Sequence, residues 1–290
     1  MTCHRFVKPG LVTALYGIDK SIPMKAVTSH RTPNITKDTN MAVWALADLH
    51  LALSVPDKKM DAFGEPWIDY TDKIKKQWLA HIKPEDLVLL PGDISWAMRL
   101  DDAAVDLNWI HELPGTKVII RGNHDYWWTS LSKVEKILPS SIHLIQNNVF
   151  NWKEYSIAGT RLWDTNEFSF NDYIEFKANP RAKQLTEKDE DPAECQKIFQ
   201  RELGRLELSL KELNKDASIR IAMTHYPPIS ADLKDSQAAQ LLEKFKINTC
   251  VFGHLHNVKK NIPLFGEKNS IKYFLTSCDF LDFIPKLIYN

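Results

Sequence analysis

The stretch IIRGNHDY, residues 119–126, places an amide, an imidazole and a carboxylate directly after a short apolar strand. Loops that follow buried strands carry much of the chemistry of α/β proteins, because the chain exposes polar groups as it leaves the core. Gly, Asn and Asp are also turn-forming residues, so this stretch alone is compatible with an ordinary turn. The rest of the chain decides between a turn and a site.

Apolar runs alternate with helical patterns from Met41 onward, which predicts a layered α/β architecture. We predict strands at 41–47, 86–90, 117–120, 142–145, 155–158, 219–223, 249–252 and 271–276, and helices at 67–82, 101–113, 129–138 and 192–213. The short strands at 142–145 and 155–158 suit a sheet edge. The last helix carries an apolar seam at helical spacing, which predicts packing on the core: Phe199, Leu203, Leu206, Leu210 and Leu213.

Two segments are expected to lie outside the folded core. Residues 1–40 show no steady periodicity and end in a polar run, so we expect a flexible N-terminal extension followed by one domain over 41–290. Translation starting at Met41 is a further expectation, which an N-terminal mass measurement would test. Residues 164–191 are strongly polar and are interpreted as a surface insertion, either an inert loop or a lid near a site.

Composition narrows the functional class. The chain of 290 residues carries 37 basic and 37 acidic residues, and this balance argues against a nonspecific nucleic-acid binder. Its four cysteines are scattered without a Cys-x-x-Cys pair, which is typical of a reduced, cytoplasmic protein. No apolar run approaches the roughly 20 residues of a membrane span.

Polar groups follow five of the predicted strands, and this recurrence is the strongest signal in the sequence. The strand ends carry Asp48-Leu49-His50, Gly92-Asp93, Gly122-Asn123-His124-Asp125, His225 and Gly253-His254-Leu255-His256. Each block alone is weak or moderate evidence, because surface loops are rich in Asp and His. Carboxylate oxygens and imidazole nitrogens together suit divalent first-row transition ions. Seven such groups exceed the needs of one ion, so we predict two ions about 3.5 to 4 Å apart.

These five blocks, in this order, resemble the pattern of the calcineurin-like metallophosphoesterases. The resemblance implies a two-sheet β-sandwich flanked by helices and a phosphoester hydrolase. It implies that one metal is held by Asp48, His50, Asp93 and His256. It implies that the other metal is held by Asp93, Asn123, His225 and His254, with Asp93 as the bridge. A hydroxide activated by the two-metal centre would attack phosphorus in line.

The resemblance also gives the imidazole of the opening stretch a role. His124 would stay unligated and act as general acid or phosphate contact, and imidazole suits this role because it titrates near neutrality. Asp125 would orient that ring or cap the next segment. In the protein-phosphatase branch a second Asp follows the Gly-Asp block, whereas here Trp96 occupies that position. The chain therefore resembles more closely a bacterial predicted-phosphohydrolase branch with Gly-Asp-Ile-Ser-Trp and Asn-His-Asp-Tyr-Trp-Trp stretches.

Several assignments stay open at this stage. Four aromatic residues lie beside the motifs: Trp96, Tyr126, Trp127 and Trp128. They either stack on a flat substrate group or pack as walls of the site, and wall packing is the favoured interpretation. Arg99, Arg121 and Arg161 are candidate phosphate contacts. Manganese, iron and zinc all accept this ligand mixture, and oligomeric state and the preference for monoesters or diesters are left undecided.

Three functions remain in competition. The first is an enzyme acting on a small or soluble phosphorylated substrate. The second is a nuclease with the same metal centre, against which the neutral charge weighs. The third is a noncatalytic binding module like the retromer subunit that resembles this family, which has no need of the complete ligand set or of His124.

Overall fold

The computed structural model describes residues 41–58, 60–175 and 191–290. Its strands are β1 (Val43–Ala45), β2 (Leu87–Leu90), β3 (Thr116–Ile119), β4 (Ile142–Leu144), β5 (Val149–Trp152), β6 (Tyr155–Thr160), β7 (Ile219–Thr224), β8 (Thr249–Phe252), β9 (Gly266–Lys268), β10 (Ile271–Leu275) and β11 (Lys286–Tyr289). Its α-helices are α1 (Tyr70–His81), α2 (Leu100–Glu112), α3 (Leu131–Glu135), α4 (Pro192–Lys211) and α5 (Gln237–Lys244).

The strands form two mixed sheets. The first has the order β11-β1-β2-β3-β4, in which only β11 runs antiparallel to its neighbour. The second has the order β5-β6-β7-β8-β10-β9, with a parallel centre from β6 to β10 and antiparallel outer strands. Within each sheet, the carboxyl ends of the parallel strands therefore lie along one edge.

Three apolar clusters explain why the sheets stack and why helices cover them. Alternate residues of β1, β2 and β3, such as Val43 and Leu87, pack against β6 to β8 residues such as Ile157 and Ile221 between the sheets. The other face of the first sheet packs against α1 and α2, and that of the second sheet packs against α4 and α5. The expected two-sheet sandwich flanked by helices is confirmed.

Most predicted elements form within one to three residues of their expected bounds, and two predictions need correction. Strand β6 is not an edge strand, because it is six residues long and pairs with β5 and β7. The helix expected over 129–138 is confined to the five residues of α3. The α4 seam is buried as predicted, with Phe199 and Leu206 in the core.

The two segments expected outside the core are only partly described. The proposed extension, residues 1–40, lies outside the described residues, and so does 176–190 of the polar insertion. The described part of that insertion contains a short 3-10 helix, Asn171–Tyr173, and an antiparallel bridge between Ile174 and Val258. Among the described residues, no helix has the length and apolar character needed to cross a bilayer.

Candidate metal centre

The structure brings together all seven side chains that the sequence analysis identifies as metal ligands. The loop after β1 carries Asp48 and His50, and the loops after β2 and β3 carry Asp93 and Asn123. Strands β7 and β8 of the second sheet lead to His225 and to His254 and His256. The candidate centre is thus assembled from the carboxyl ends of five parallel strands, drawn from both sheets.

One group of donor atoms forms around His50. Its Nε2 lies 3.2 Å from Nε2 of His256. Asp48, His50 and His256 each offer a ligand atom within 4.8 Å of the others. Two imidazole nitrogens and a carboxylate oxygen therefore face a common point.

A second group forms around Asn123. Its Oδ1 lies 2.6 Å from Nε2 of His225 and 3.1 Å from Nδ1 of His254. Asp48, Asp93 and His225 also offer ligand atoms within 4.8 Å of one another. This second set contains the amide, both imidazoles and the carboxylate that the resemblance groups together.

Asp93 lies between the two groups. Its Oδ2 is 3.7 Å from Nε2 of His50 and 3.4 Å from Nε2 of His225. Its Oδ1 accepts a hydrogen bond of 2.8 Å from the backbone N–H of His124. Asp93 thus contacts one histidine of each group, as a bridging ligand would, and Asp48 also offers an oxygen to both groups.

The donor set fits divalent metal ions. Neighbouring ligands on one ion lie roughly 3 to 3.5 Å apart when each bond is about 2.0 to 2.2 Å long. The short donor separations here run from 2.6 to 3.7 Å, and those that involve Asp48 stay within 4.8 Å. Asp48 and Asp93 are at most 1% exposed. Buried carboxylates at such proximity need compensating positive charge. A nitrogen and oxygen donor set of this kind suits manganese, iron or zinc.

In the metal-free protein the histidines supply that charge. Burial alone lowers the pKa of His225, but the Asp93 carboxylate overcomes this effect and raises the pKa to about 9. His256 follows the same pattern, because Asp279 outweighs burial and raises the pKa to about 9. Burial raises the pKa of Asp48 to about 6. Metal binding must therefore displace protons from His225 and His256.

The pKa values of His50 and Asp93, in contrast, are both lowered. Burial lowers the pKa of His50 to about 3. Burial also pushes the pKa of Asp93 upward, but the charge and hydrogen bond of His225 hold it far below its usual value. His50 and Asp93 are therefore already in the deprotonated forms that bind metals.

The backbone turns sharply at four of the seven residues. Asp48, His50, Asp93 and His254 have φ values of 60°, 46°, 52° and 72°, in the left-handed region that non-glycine residues rarely adopt. Each such conformation costs on the order of 1 kcal/mol or more, and such residues cluster at functional sites. The strain lets short loops direct their side chains inward immediately after a strand.

Two motif glycines leave room for ligand carboxylates. A Cβ atom at Gly122 would overlap Oδ1 of Asp93, and a Cβ atom at Gly253 would overlap Oδ2 of Asp48. Glycine is thus required at both positions by close approach of a side chain from another loop. The Gly in each motif is part of the geometry of the centre.

Hydrogen bonds on the far side of two rings select the nitrogen that faces the centre. Nδ1 of His225 donates to the carbonyl oxygen of Pro91 over 3.0 Å. Nδ1 of His256 donates to Oδ1 of Asp279 over 2.9 Å. Both histidines therefore turn Nε2 toward the donor groups. Sequence analysis missed Asp279, although it follows the predicted strand 271–276 much as the other ligands follow their strands.

His124 lies beside the two groups. Its ring is 5.6 Å from the ring of His50 and 4.4 Å from the ring of Trp96, and its buried Nδ1 has no hydrogen-bond partner in the described part of the chain. Burial lowers its pKa. The ring of Trp96, which stands where the related branch has a carboxylate, thus packs against the imidazole at an interplanar angle of 41°.

Asp125 holds loops together and does not orient His124. Its Oδ1 accepts the backbone N–H of Ile94 at 2.9 Å and that of Ser95 at 3.1 Å. Its Oδ2 accepts the backbone N–H of Gly122 at 2.7 Å. This buried carboxylate ties the loop after β2 to the loop after β3, and so fixes Asp93 relative to Asn123.

The remaining aromatic and basic candidates divide between core, site and surface. Trp127 and Trp128 are buried in the hydrophobic core, where neither can stack on a substrate group, whereas Tyr126 is 48% exposed. Arg99 lies on the surface beside Asp101, with 76% of its side chain exposed. Neither Tyr126 nor Arg99 is among the convergent donors.

Solved structures that are similar to this chain are distant from it in sequence. No curated protein matches the chain. A solved protein of unknown function from Aquifex aeolicus is 14% identical, with 86% of this chain and 96% of that chain covered and a TM-score of 0.45. Phosphopantetheinyl hydrolase from Mycobacterium tuberculosis is 14% identical, with 85% and 95% covered and a TM-score of 0.44.

A calcineurin-like phosphoesterase from Bacillus subtilis is also 14% identical, with 83% of this chain and 82% of that chain covered and a TM-score of 0.44. The family model of the calcineurin-like phosphoesterases matches residues 41–258, a range that contains every predicted ligand. Given this match and the two-sheet sandwich that carries the blocks, the chain belongs to the calcineurin-like phosphoesterase family.

Proposed function

We propose that this protein is a phosphoester hydrolase with a centre of two divalent metal ions. The observation that carries the proposal is the convergence of seven oxygen and nitrogen donors from five strand ends. In this proposal Asp48, His50, Asp93 and His256 hold one ion. Asp93, Asn123, His225 and His254 hold the other.

The ions, when bound, would supply positive charge that activates a water nucleophile and neutralises the phosphoryl oxygens. The protein residues fix the positions of these charges. Asp125 joins the loops that carry Asp93 and Asn123, while Pro91 and Asp279 hold the rings of two histidines. Preorganisation of this kind lowers the cost of assembling charge around a reacting phosphoryl group.

His124 is proposed to contact the phosphoryl group or to protonate the leaving oxygen. Its backbone N–H donates to Asp93 at 2.8 Å and its ring packs against Trp96, so the imidazole lies beside the centre without being a donor in either group. General acid catalysis contributes about 10²- to 10⁴-fold. His124→Ala should therefore retain metals and lose turnover by about that factor.

A second variant separates the two roles. His124→Gln keeps a hydrogen-bond donor but transfers no proton near neutral pH. If His124 only contacts phosphate, Gln should restore most of the turnover lost in Ala. If it protonates the leaving oxygen, Gln and Ala should be equally slow with a poor leaving group and both nearly normal with p-nitrophenolate.

The surroundings support a small or soluble ester. A cavity of about 410 Å³ adjoins His254, and its lining includes Trp163, Phe168, Phe170 and Tyr226. This volume lies within the roughly 300 to 1,000 Å³ of pockets for small organic ligands. We assign the cavity to the organic group of the ester, because aromatic walls stabilise flat or apolar groups.

The test is a turnover screen of Mn²⁺-loaded protein against panels of phosphate monoesters and diesters. Asp93→Asn and His254→Ala should each lose bound metal and turnover. Asp282→Asn and His81→Ala are matched controls, since both residues lie on the exposed surface outside the donor groups. Unchanged metal content and unchanged hydrolysis in both site variants would refute the proposal. Metal binding without turnover on any ester would favour the noncatalytic module.

A further inference from the structure

A second polar pocket, of about 210 Å³, lies outside the donor groups of the metal centre. We call it the arginine pocket and define it by Arg121, Arg161, Arg205, Glu202, Thr160 and Gln146. It is smaller than the roughly 300 to 1,000 Å³ typical of pockets for whole organic ligands. Its size therefore suits a small ion or one charged group.

The pocket carries an excess of positive charge. Glu202 is its one carboxylate, and this side chain is 1% exposed. Its Oε1 lies 3.3 Å from Arg161 Nη2 and 2.6 Å from Arg205 Nη1. Its Oε2 accepts a hydrogen bond from the Thr160 hydroxyl over 3.2 Å. Three guanidinium groups against one fully engaged carboxylate leave a net charge of +2.

Arg161 and Arg205 contact Glu202 directly, whereas Arg121 feels the charges of Asp125 and Glu202 from a longer distance. The Arg121 side chain is half-buried, and its Nε is buried without a hydrogen-bond partner in residues 41–58, 60–175 and 191–290. A buried donor without a partner is costly, and more so when it belongs to a charged group. An oxyanion in the pocket would pair with the guanidinium group of Arg121, because guanidinium donors match the geometry of phosphate and carboxylate.

The pocket lies one strand away from the metal centre in both sheets. In the first sheet, Gln146 follows β4, which pairs with β3, and the end of β3 leads to Asn123. In the second sheet, Arg161 follows β6, and its carbonyl oxygen accepts the backbone N–H of His225 at 3.0 Å. Neighbouring strands are about 5 Å apart. The pocket is therefore next to the centre along both sheets.

We propose that the arginine pocket is an oxyanion-binding site that takes a dianion of the phosphate class. The anion pairs with Arg121 and shares Arg161 and Arg205 with Glu202. Two sources have the same chemistry: a second phosphate group of the substrate, or a free phosphate ion. The site does not depend on the metal centre, because no predicted ligand lines it.

The first experiment is calorimetric titration of inorganic phosphate into the full-length protein, as purified and again after chelation of its metals. We expect one class of sites that survives chelation and weakens at least tenfold in Arg121→Gln and in Arg205→Gln. Arg99→Gln is the matched control, because this arginine is exposed and lies outside the pocket. Arg205→Gln is the pocket variant expected to leave the fold intact, since 44% of the Arg205 side chain is exposed on α4.

The proposal is wrong if phosphate binding disappears entirely on chelation, or if both pocket variants bind phosphate as the wild type does while remaining folded by circular dichroism. A failed hydrolase proposal would leave this result untouched, since the titration needs no turnover. The two proposals are therefore tested separately.

A second experiment identifies the source of the anion. Butane-1,4-bisphosphonate and butylphosphonate are compared as inhibitors of bis(p-nitrophenyl) phosphate hydrolysis by Mn²⁺-loaded protein. If the two sites bind one molecule, the bisphosphonate should inhibit at least tenfold more strongly, and Arg205→Gln should remove this advantage. Equal inhibition by the two compounds would assign the pocket to free phosphate.

Discussion

Replacing Asp279 by Asn is the sharpest test of how the metal centre is held in place. Asp279 uses both carboxylate oxygens: Oδ1 accepts from Nδ1 of His256 at 2.9 Å, and Oδ2 accepts from the backbone N–H of Asn257 at 3.0 Å. An Asn side chain has a single acceptor oxygen, so its NH₂ group must face one of these two donors. Asp279→Asn therefore breaks at least one hydrogen bond and removes the negative charge beside the imidazole.

The size of the effect follows from these contacts. A hydrogen bond to a charged group contributes about 1.5 to 3 kcal/mol. Losing the partner that orients a ligating histidine typically lowers metal affinity about 10- to 100-fold, which corresponds to about 1.4 to 2.7 kcal/mol. The two ranges agree. We expect Asp279→Asn to weaken metal binding by this factor and to leave turnover nearly normal at saturating metal.

The assay is competition for Mn²⁺ or Zn²⁺ with a chromophoric chelator, followed by turnover at increasing metal concentration. Asp282→Asn is the control, because this residue lies three positions further along the same loop and 71% of its side chain is exposed. Its ion pair is with Lys260, away from the donor groups. A dissociation constant for Asp279→Asn within twofold of that for Asp282→Asn would refute the role assigned to Asp279.

Three further predictions follow from the same geometry. Gly122→Ala should push Asp93 from its position, lower metal affinity at least tenfold and destabilise the fold by about 1 to 3 kcal/mol, as read from metal titration and urea unfolding. In chelated protein, His225 and His256 have folded pKa values near 9, above the unfolded value of 6.5, so their stabilisation is complete below pH 6.5. The free energy of unfolding in urea should then fall between pH 6.5 and 8, by on the order of 1 kcal/mol per histidine, and a rise would contradict these protonation states. Trp96→Ala should lower kcat at unchanged metal content, whereas Trp96→Phe should restore most of it; equal loss in both would exclude a packing role.

The strand-end pattern predicted the centre because a parallel sheet makes it nearly unavoidable. Residues that follow β1, β2 and β3 must emerge at one edge of the first sheet, and those after β7 and β8 emerge at one edge of the second. A polar block after each apolar run therefore indicated spatial neighbours before any contact was known. Asp279 was missed although only Ser277 and Cys278 separate it from the predicted strand, because its role depends on contact with His256, which the sequence does not show.

Other features could not be predicted because they depend on tertiary contacts. Strand β6 appeared short because Gly159 weakens the strand pattern, although its six residues pair with β7 along their whole length. The positive φ values at Asp48, Asp93 and His254 have no local signal, since these residue types are also common in ordinary turns. Helix α5 was missed, and its apolar positions at Ala238, Ala239 and Leu242 become meaningful only against α4 and the second sheet.

Trp96 links the departure in the Gly-Asp block to the chemistry of His124. A carboxylate at that position would raise the pKa of a nearby imidazole by its charge. An indole supplies no charge, and burial by this ring and its neighbours lowers the pKa of His124. Packing therefore orients the imidazole while leaving it neutral. To donate a proton, His124 must first become protonated, and the negative charge of a bound phosphoester would raise its pKa. The rate of such an enzyme should depend only weakly on the leaving group when His124 is intact, and this dependence should become steep in His124→Ala.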